Sequence, residues 1–133
     1  MTFDNLGNLF PYEIIKTDLT TFEQLFVANF PLSETRRMIF ENYRQMIDDF
    51  KSQIGDSFYQ WIGGSFVSTK NNPHDIDVVT FLDHQIYDIQ SQALRRISGY
   101  QLYKEKQLDS CIVKLYPVEH VQYESITKPD TLE

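Results

Sequence analysis

One cysteine, Cys111, stands in the 133 residues. A single thiol excludes an internal disulfide and any metal site built from several thiolates. Glycine and proline number only five each, and nowhere do they gather with serine into a linker that would split the chain. Internal repeats and low-complexity tracts are also lacking. No apolar run approaches the length of a membrane helix, and the opening "MTFDNLGNLFPYE" has neither the basic start nor the apolar stretch of a leader. Basic residues are outnumbered, 12 Lys and Arg against 19 Asp and Glu, and the net charge of −7 argues against broad binding to nucleic acid, leaving only a local contact open. The expectation is one cytoplasmic domain over 1–133, with no membrane segment. What the chain has instead is aromatic mass: ten Phe and eight Tyr, which favour an ordered core over disorder.

The residue pattern mixes helices and strands. Thr20 and Glu23 read as a capping box for "TFEQLFVANF", which Pro31 ends. Ser33 reads as the cap of a long helix to about Ile54, with Met38, Ile39, Tyr43, Met46, Ile47, Phe50 and Ile54 inward and Gly55 as its stop. "SFYQWIG" and "DIDVVTFL" are strand-like. "HQIYDIQSQALRRIS" reads as one helix, with Ile86, Ile89, Ala93, Leu94 and Ile97 inward and Gly99 closing it. "QLYKEKQ" reads as a short strand or a turn-rich connection, and "SCIVKLYP" as a third clear strand ended by Pro117. Both ends look loose, at "DNLGN" and "SITKPDTLE". The fold class expected is α+β: a small mixed β-sheet (about 56–118) backed by helices, with a helical N-terminal part (about 20–55) packed on it.

Asp75 and Asp77 interrupt an apolar strand. Residues two apart on a strand share a face, so both carboxylates point one way while Ile76 and Val78 enter the core. Two adjacent carboxylates repel and raise each other's pKa. A divalent cation between them makes the arrangement favourable. Mg²⁺ takes a few carboxylates together with substrate phosphate oxygens, and Mn²⁺ is the alternative. Asp109, at the entry of the next strand, is the candidate third ligand. General acid–base work by the pair is conceivable but leaves the residues upstream without a role.

Those residues are Gly63, Gly64 and Ser65. The glycines let backbone approach a ligand, and a helix starting near Ser65 would turn free N–H groups toward an anion. Gly64 is expected to leave the space that a phosphate needs. Lys70 and His74, in the polar loop, lie within reach of phosphates. Phosphate at the Gly-Gly-Ser turn and metal at the Asp pair together suit nucleotidyl transfer, in which metal activates the attacking oxygen and stabilises the leaving pyrophosphate.

Blander readings stand beside these. Asp75 and Asp77 fit the solvent face of an edge strand, and Asp109 fits a turn before a strand. Ser65 fits a helix cap, Lys70 a solvated cation, and His74 a surface residue. Cys111 alternates with Val113 and Leu115, which suits a buried core thiol. Arg36, Arg37, Arg95 and Arg96 read as solvated helix faces, and Phe58, Tyr59 and Trp61 as mostly core.

"GGSFVSTKNNPHDIDVV" resembles the signature of the DNA polymerase beta-like nucleotidyltransferases: an apolar residue, Gly, Gly or Ser, then, after roughly ten residues, Asp-apolar-Asp-apolar. It looks most like the minimal bacterial branch, in a group with a "GSF…DIDVV" core. The match is strong over 58–81 and reaches Pro117 if Asp109 is the third carboxylate. The resemblance implies a small mixed sheet backed by helices, Mg²⁺ held by Asp75, Asp77 and Asp109, and triphosphate contacts at Gly64 and Ser65. Phe66 departs from the pattern, because minimal members often carry Arg or a small residue after the Gly-Ser pair. Only sixteen residues follow Pro117. No separate base-binding domain is therefore expected, and a partner or a second copy would complete the cleft.

Two classes of function follow. One is an enzyme that moves a nucleotidyl group, AMP from ATP by first expectation, to a hydroxyl on a protein, RNA or small molecule. Minimal members of the superfamily often act in toxin–antitoxin pairs. The other is a binding module of the same shape with weak or absent catalysis, such as an antitoxin-like partner of a protein encoded nearby. The intact carboxylate set favours the enzyme.

Overall fold

The computed structural model describes residues 2–10, 15–97 and 100–117. It is α+β, as the sequence implies. A two-residue hairpin, β1 (Thr2–Phe3) and β2 (Leu9–Phe10), leads to α1 (Leu19–Glu23), which runs on as a π-helical turn over Gln24–Ala28. Then follow α2 (Arg36–Gln53), β3 (Phe58–Gly63), a single 3₁₀ turn (Gly64–Val67) and β4 (Ile76–Asp83). Three short helices, α3 (His84–Ile89), α4 (Ser91–Ile97) and α5 (Tyr100–Glu105), cross over to β5 (Leu108–Leu115). The sheet is mixed, in the order β3-β4-β5, with β3 antiparallel and β5 parallel to the central strand.

Alternation gives this sheet two unlike faces. Ile76, Val78, Thr80 and Leu82 point back, and all are buried. Against them α2 lays Ile39, Phe40, Tyr43, Met46 and Phe50, spaced three and four apart and buried to 5% exposure or less. Each large side chain buried this way contributes about 1.5–3 kcal/mol of transfer free energy. Phe22 from α1 stacks on Phe66 with ring planes 3° apart, which ties the N-terminal helix to the 3₁₀ turn. A buried polar thread crosses the back of the sheet: Tyr43 donates to Gln60 (2.7 Å), whose amide donates to Thr80 (3.0 Å).

Several elements differ from expectation. The cap of α1 is Asp18, which accepts from Thr21 N–H at 2.7 Å, two residues before Thr20. Ser33 does serve the start of α2, accepting from Thr35 and Arg36 N–H, and Gly55 ends that helix at φ +121. Met38, expected inward, is 52% exposed, and Phe40 takes the buried place instead. The helix after β4 breaks at Gln90, and the break leaves Ile89 79% exposed. Gly99 lies outside the described residues, as does "SITKPDTLE". "QLYKEKQ" is helical over its first five residues, which belong to α5 (Tyr100–Glu105), rather than a strand. The segment "DNLGN" is a tight turn, with the Asp4 carboxylate accepting from Leu6 and Asn8 N–H and Gly7 at φ +84. Cys111 is exposed, because β5 turns it to the front of the sheet.

Arg36 is the largest correction. It is fully buried rather than solvated. Its guanidinium donates to the carbonyls of Phe26 (2.7 Å), Phe66 (2.7 Å), Ser68 (2.8 Å) and Lys70 (2.6 and 3.2 Å), and lies 3.9 Å above the ring of Phe30. Burial lowers its pKa to about 10, so it keeps its proton at neutral pH. One side chain thus fastens the loop after the 3₁₀ turn to the end of the N-terminal helix. No helix among the described residues is long and apolar enough to cross a membrane.

Candidate metal centre and its groove

Register brings the acidic residues together. Asp77 lies opposite Asp109 across the parallel pair, and opposite Gly63 across the antiparallel pair. Asp75, just before β4, shares their face. One carboxylate oxygen from each of Asp75, Asp77 and Asp109 lies within 4.8 Å of the others. Asp75 and Asp77 are half-buried, and Asp109 is exposed. Gln107 holds the two entering chains side by side: its carbonyl accepts from Ile76 N–H (3.1 Å) and its amide donates to the carbonyl of His74 (2.9 Å). Gln107 adopts φ +61, a left-handed conformation between α5 and β5. Nothing in the sequence pattern singled it out.

The electrostatics are uncompensated. Among the described residues, no ion pair involves any of the three carboxylates. Partial burial raises the pKa of Asp77, and the charges of Asp75 and Asp109 and a hydrogen bond with Asp109 raise it further. A divalent cation is the counter-charge that this donor set fits. All three carboxylates offer hard oxygens, the donor type that suits Mg²⁺ or Mn²⁺. Ligand oxygens on one octahedral Mg²⁺ stand about 3.0 Å apart when adjacent and about 4.2 Å when opposite, so binding would draw the three carboxylates together by side-chain rotation.

The glycine turn abuts this centre. Gly64 has φ +77, and a Cβ there would lie 2.2 Å from Oδ2 of Asp77. The space that a Cβ on Gly64 would take is therefore filled by the Asp77 carboxylate. Gly63 differs. It is extended, and a Cβ on it would meet nothing within 4 Å. Gly63 faces front opposite Asp77, so the open space lies there. Ser65 is half-buried, and its carbonyl accepts from the Ser68 hydroxyl at 2.6 Å. The side chains of Lys70 and His74 are exposed, and the backbone of each is used in hydrogen bonds. Ser65 and Lys70 do not line the groove that opens at the glycines.

That groove is broad, about 1380 Å³, and runs along β3. It wraps the free edge of that strand: Tyr59, Trp61, Gly63, Asp77 and Val79 line it from the front, and Phe58, Gln60, Ile62, Tyr43 and Phe22 from the back. Tyr59 and Trp61 were expected in the core. They lie instead on the front face with Asp77, at odd positions along the same strand as Gly63, and strand parity was the signal for it.

The family model of DUF6932, a family of unknown function, matches residues 1–130. No curated protein and no solved structure matches the chain.

Proposed function

The chain belongs to the DUF6932 family, and from its acidic centre we propose that it is a divalent-cation-dependent nucleotidyltransferase. The observation that carries this reading is the convergence of three carboxylates within 4.8 Å, at the entry ends of adjacent strands and beside a glycine turn. The resemblance of "GGSFVSTKNNPHDIDVV" to the DNA polymerase beta-like signature supports it.

Asp75, Asp77 and Asp109 would hold the cation, which when bound supplies charge neutralisation at phosphate oxygens and activation of the acceptor hydroxyl. Gly63 leaves room beside Asp77 for the triphosphate of the donor, AMP being the group moved from ATP. In the transfer, the acceptor oxygen forms a bond to the α-phosphorus, the bond to the bridging oxygen breaks, pyrophosphate leaves and the acceptor loses its proton. Gln107 holds the entries of β4 and β5 together and Arg36 fastens the loop before Asp75, so that side-chain adjustment of the carboxylates is what remains for cation binding. The acceptor is a hydroxyl on a protein, RNA or small molecule, and a protein encoded beside this one heads the panel to test.

The test incubates the chain with α-labelled ATP, Mg²⁺ or Mn²⁺, and that panel. Label transfer that is lost in Asp75→Asn is the expected result. Absence of cation-dependent triphosphate binding by calorimetry would overturn the reading. A tight complex with the neighbour-encoded protein, without label transfer, would favour a binding module instead.

A further inference from the structure

We propose that Trp61 and Tyr59 form the seat of the nucleotide's base. This inference rests on the nucleotidyltransferase reading of the acidic centre and adds the ligand's other end. Gly63, Trp61 and Tyr59 follow one another on the front of β3, opposite Asp77, Val79 and Phe81 on β4. Tyr59 stacks on Phe81 with centroids 4.8 Å apart and planes at 13°, and Trp61 meets the same ring edge-on at 4.7 Å. Phe81 is 1% exposed, whereas Tyr59 remains 47% exposed. Tyr59 is therefore accessible from the front of this edge strand.

Spacing selects the ligand. Successive residues on one face of a strand are about 6.8 Å apart. Trp61 therefore lies one such step from the Gly63–Asp77 pair, and Tyr59 two. A molecule with phosphates at the carboxylate end and a planar ring one sugar's length away spans this distance. The groove reaches both ends, since Asp77, Gly63, Trp61 and Tyr59 are the front-face part of its lining, which continues round the edge of β3 to the back. The chain's net charge of −7 disfavours a polyanionic strand as occupant. An uncharged heterocycle stacks on such rings regardless of its hydrogen-bonding pattern. Purines offer more stacking area than pyrimidines, so ATP and GTP should bind more tightly than CTP and UTP.

Trp61 is the only tryptophan, so its fluorescence reports this seat directly. The experiment titrates the full chain with ATP, CTP and inorganic triphosphate, each with Mg²⁺, followed by fluorescence and by calorimetry. ATP should quench Trp61, and inorganic triphosphate should bind without quenching it. Trp61→Leu should weaken ATP by about tenfold and leave inorganic triphosphate unchanged, while Trp61→Phe should restore most of the loss. Tyr59→Leu, checked for fold by circular dichroism, serves as the second variant and should weaken ATP in the same selective way. Equal weakening of both ligands in Trp61→Leu would show a structural role and overturn the proposal. So would ATP binding no tighter than inorganic triphosphate, which would leave the acidic centre's reading intact. If neither ligand binds, both readings fall. Quenching by a partner protein, with none by ATP, would give this face to protein association instead.

Discussion

Gly64 and Asp77 compete for one volume: a methyl on Gly64 would lie 2.2 Å from the Oδ2 atom of Asp77. The glycine lets the turn after β3 close over the carboxylate on β4. The turn therefore buries part of Asp77 and helps to raise its pKa, because burial is the largest cause of that shift. Turn and acid form one unit, and their separation in the sequence by a polar loop hides this.

The two neighbouring glycines should respond oppositely to alanine. Gly64→Ala meets both the positive φ and the Asp77 contact, and should cost about 1 kcal/mol or more from the backbone alone. It should also displace Asp77 and weaken cation binding. Gly63→Ala meets neither obstacle. It should leave stability unchanged or raise it by about 0.4–1 kcal/mol, while impairing triphosphate binding through the methyl placed beside Asp77. Thermal melts paired with calorimetry on each variant decide this. A Gly63→Ala protein with undiminished binding would remove the phosphate from that spot.

Asp77→Asn separates the fold from the chemistry. The folded chain holds the Asp77 carboxyl above its ordinary pKa of 3.8. The stability this provides is fully present below 3.8 and is lost as pH rises through the folded value, since ionisation then costs more in the folded state. At neutral pH and without divalent cation, Asp77→Asn should therefore melt higher than the parent. In Mg²⁺ or Mn²⁺ the order should reverse, because the parent gains stability by mass action and the variant does not. Melting temperatures at pH 7, with chelator and then with excess cation, give both signs. An Asp77→Asn chain that melts lower in chelator would show instead that the carboxylate makes a stabilising contact.

The sheet and its acidic face were legible because period-two alternation survives tertiary context. A strand with Asp at two odd positions and Ile and Val at the even ones has only one sensible orientation. The same parity rule, carried further, places Cys111 with Asp109, and Tyr59 and Trp61 with Gly63; reading these residues as core set that rule aside. Arg36 was hidden for a different reason. It occupies the apolar stripe of α2, three and four residues before Ile39 and Phe40, but residue type suggested solvent. The four backbone carbonyls that satisfy it come from two other segments, and no local pattern brings those together. The break at Gln90 and the left-handed Gln107 likewise carry no glycine or proline to mark them.

Arg36 holds its loop through backbone carbonyls. All five guanidinium N–H donors are engaged, the carbonyls of Phe26, Phe66, Ser68 and Lys70 accept them, and among the described residues no carboxylate pairs with it. Lysine offers three donors on a flexible stem and cannot reproduce that fork. Arg36→Lys leaves at least one buried carbonyl without a donor, at about 1–3 kcal/mol for each such group. Arg36→Met removes the charge as well and strands all four carbonyls, so it should cost more than lysine. The loop from Phe66 to Lys70 runs on toward Asp75. Loosening it should lower cation affinity in the fraction that still folds, measured at a temperature well below the variant's melting point. The ordering parent, lysine, methionine in urea melts, with cation affinity falling in the same order, is the expected outcome. A lysine variant as stable as the parent would mean that the charge, not the hydrogen-bonding fork, holds the loop.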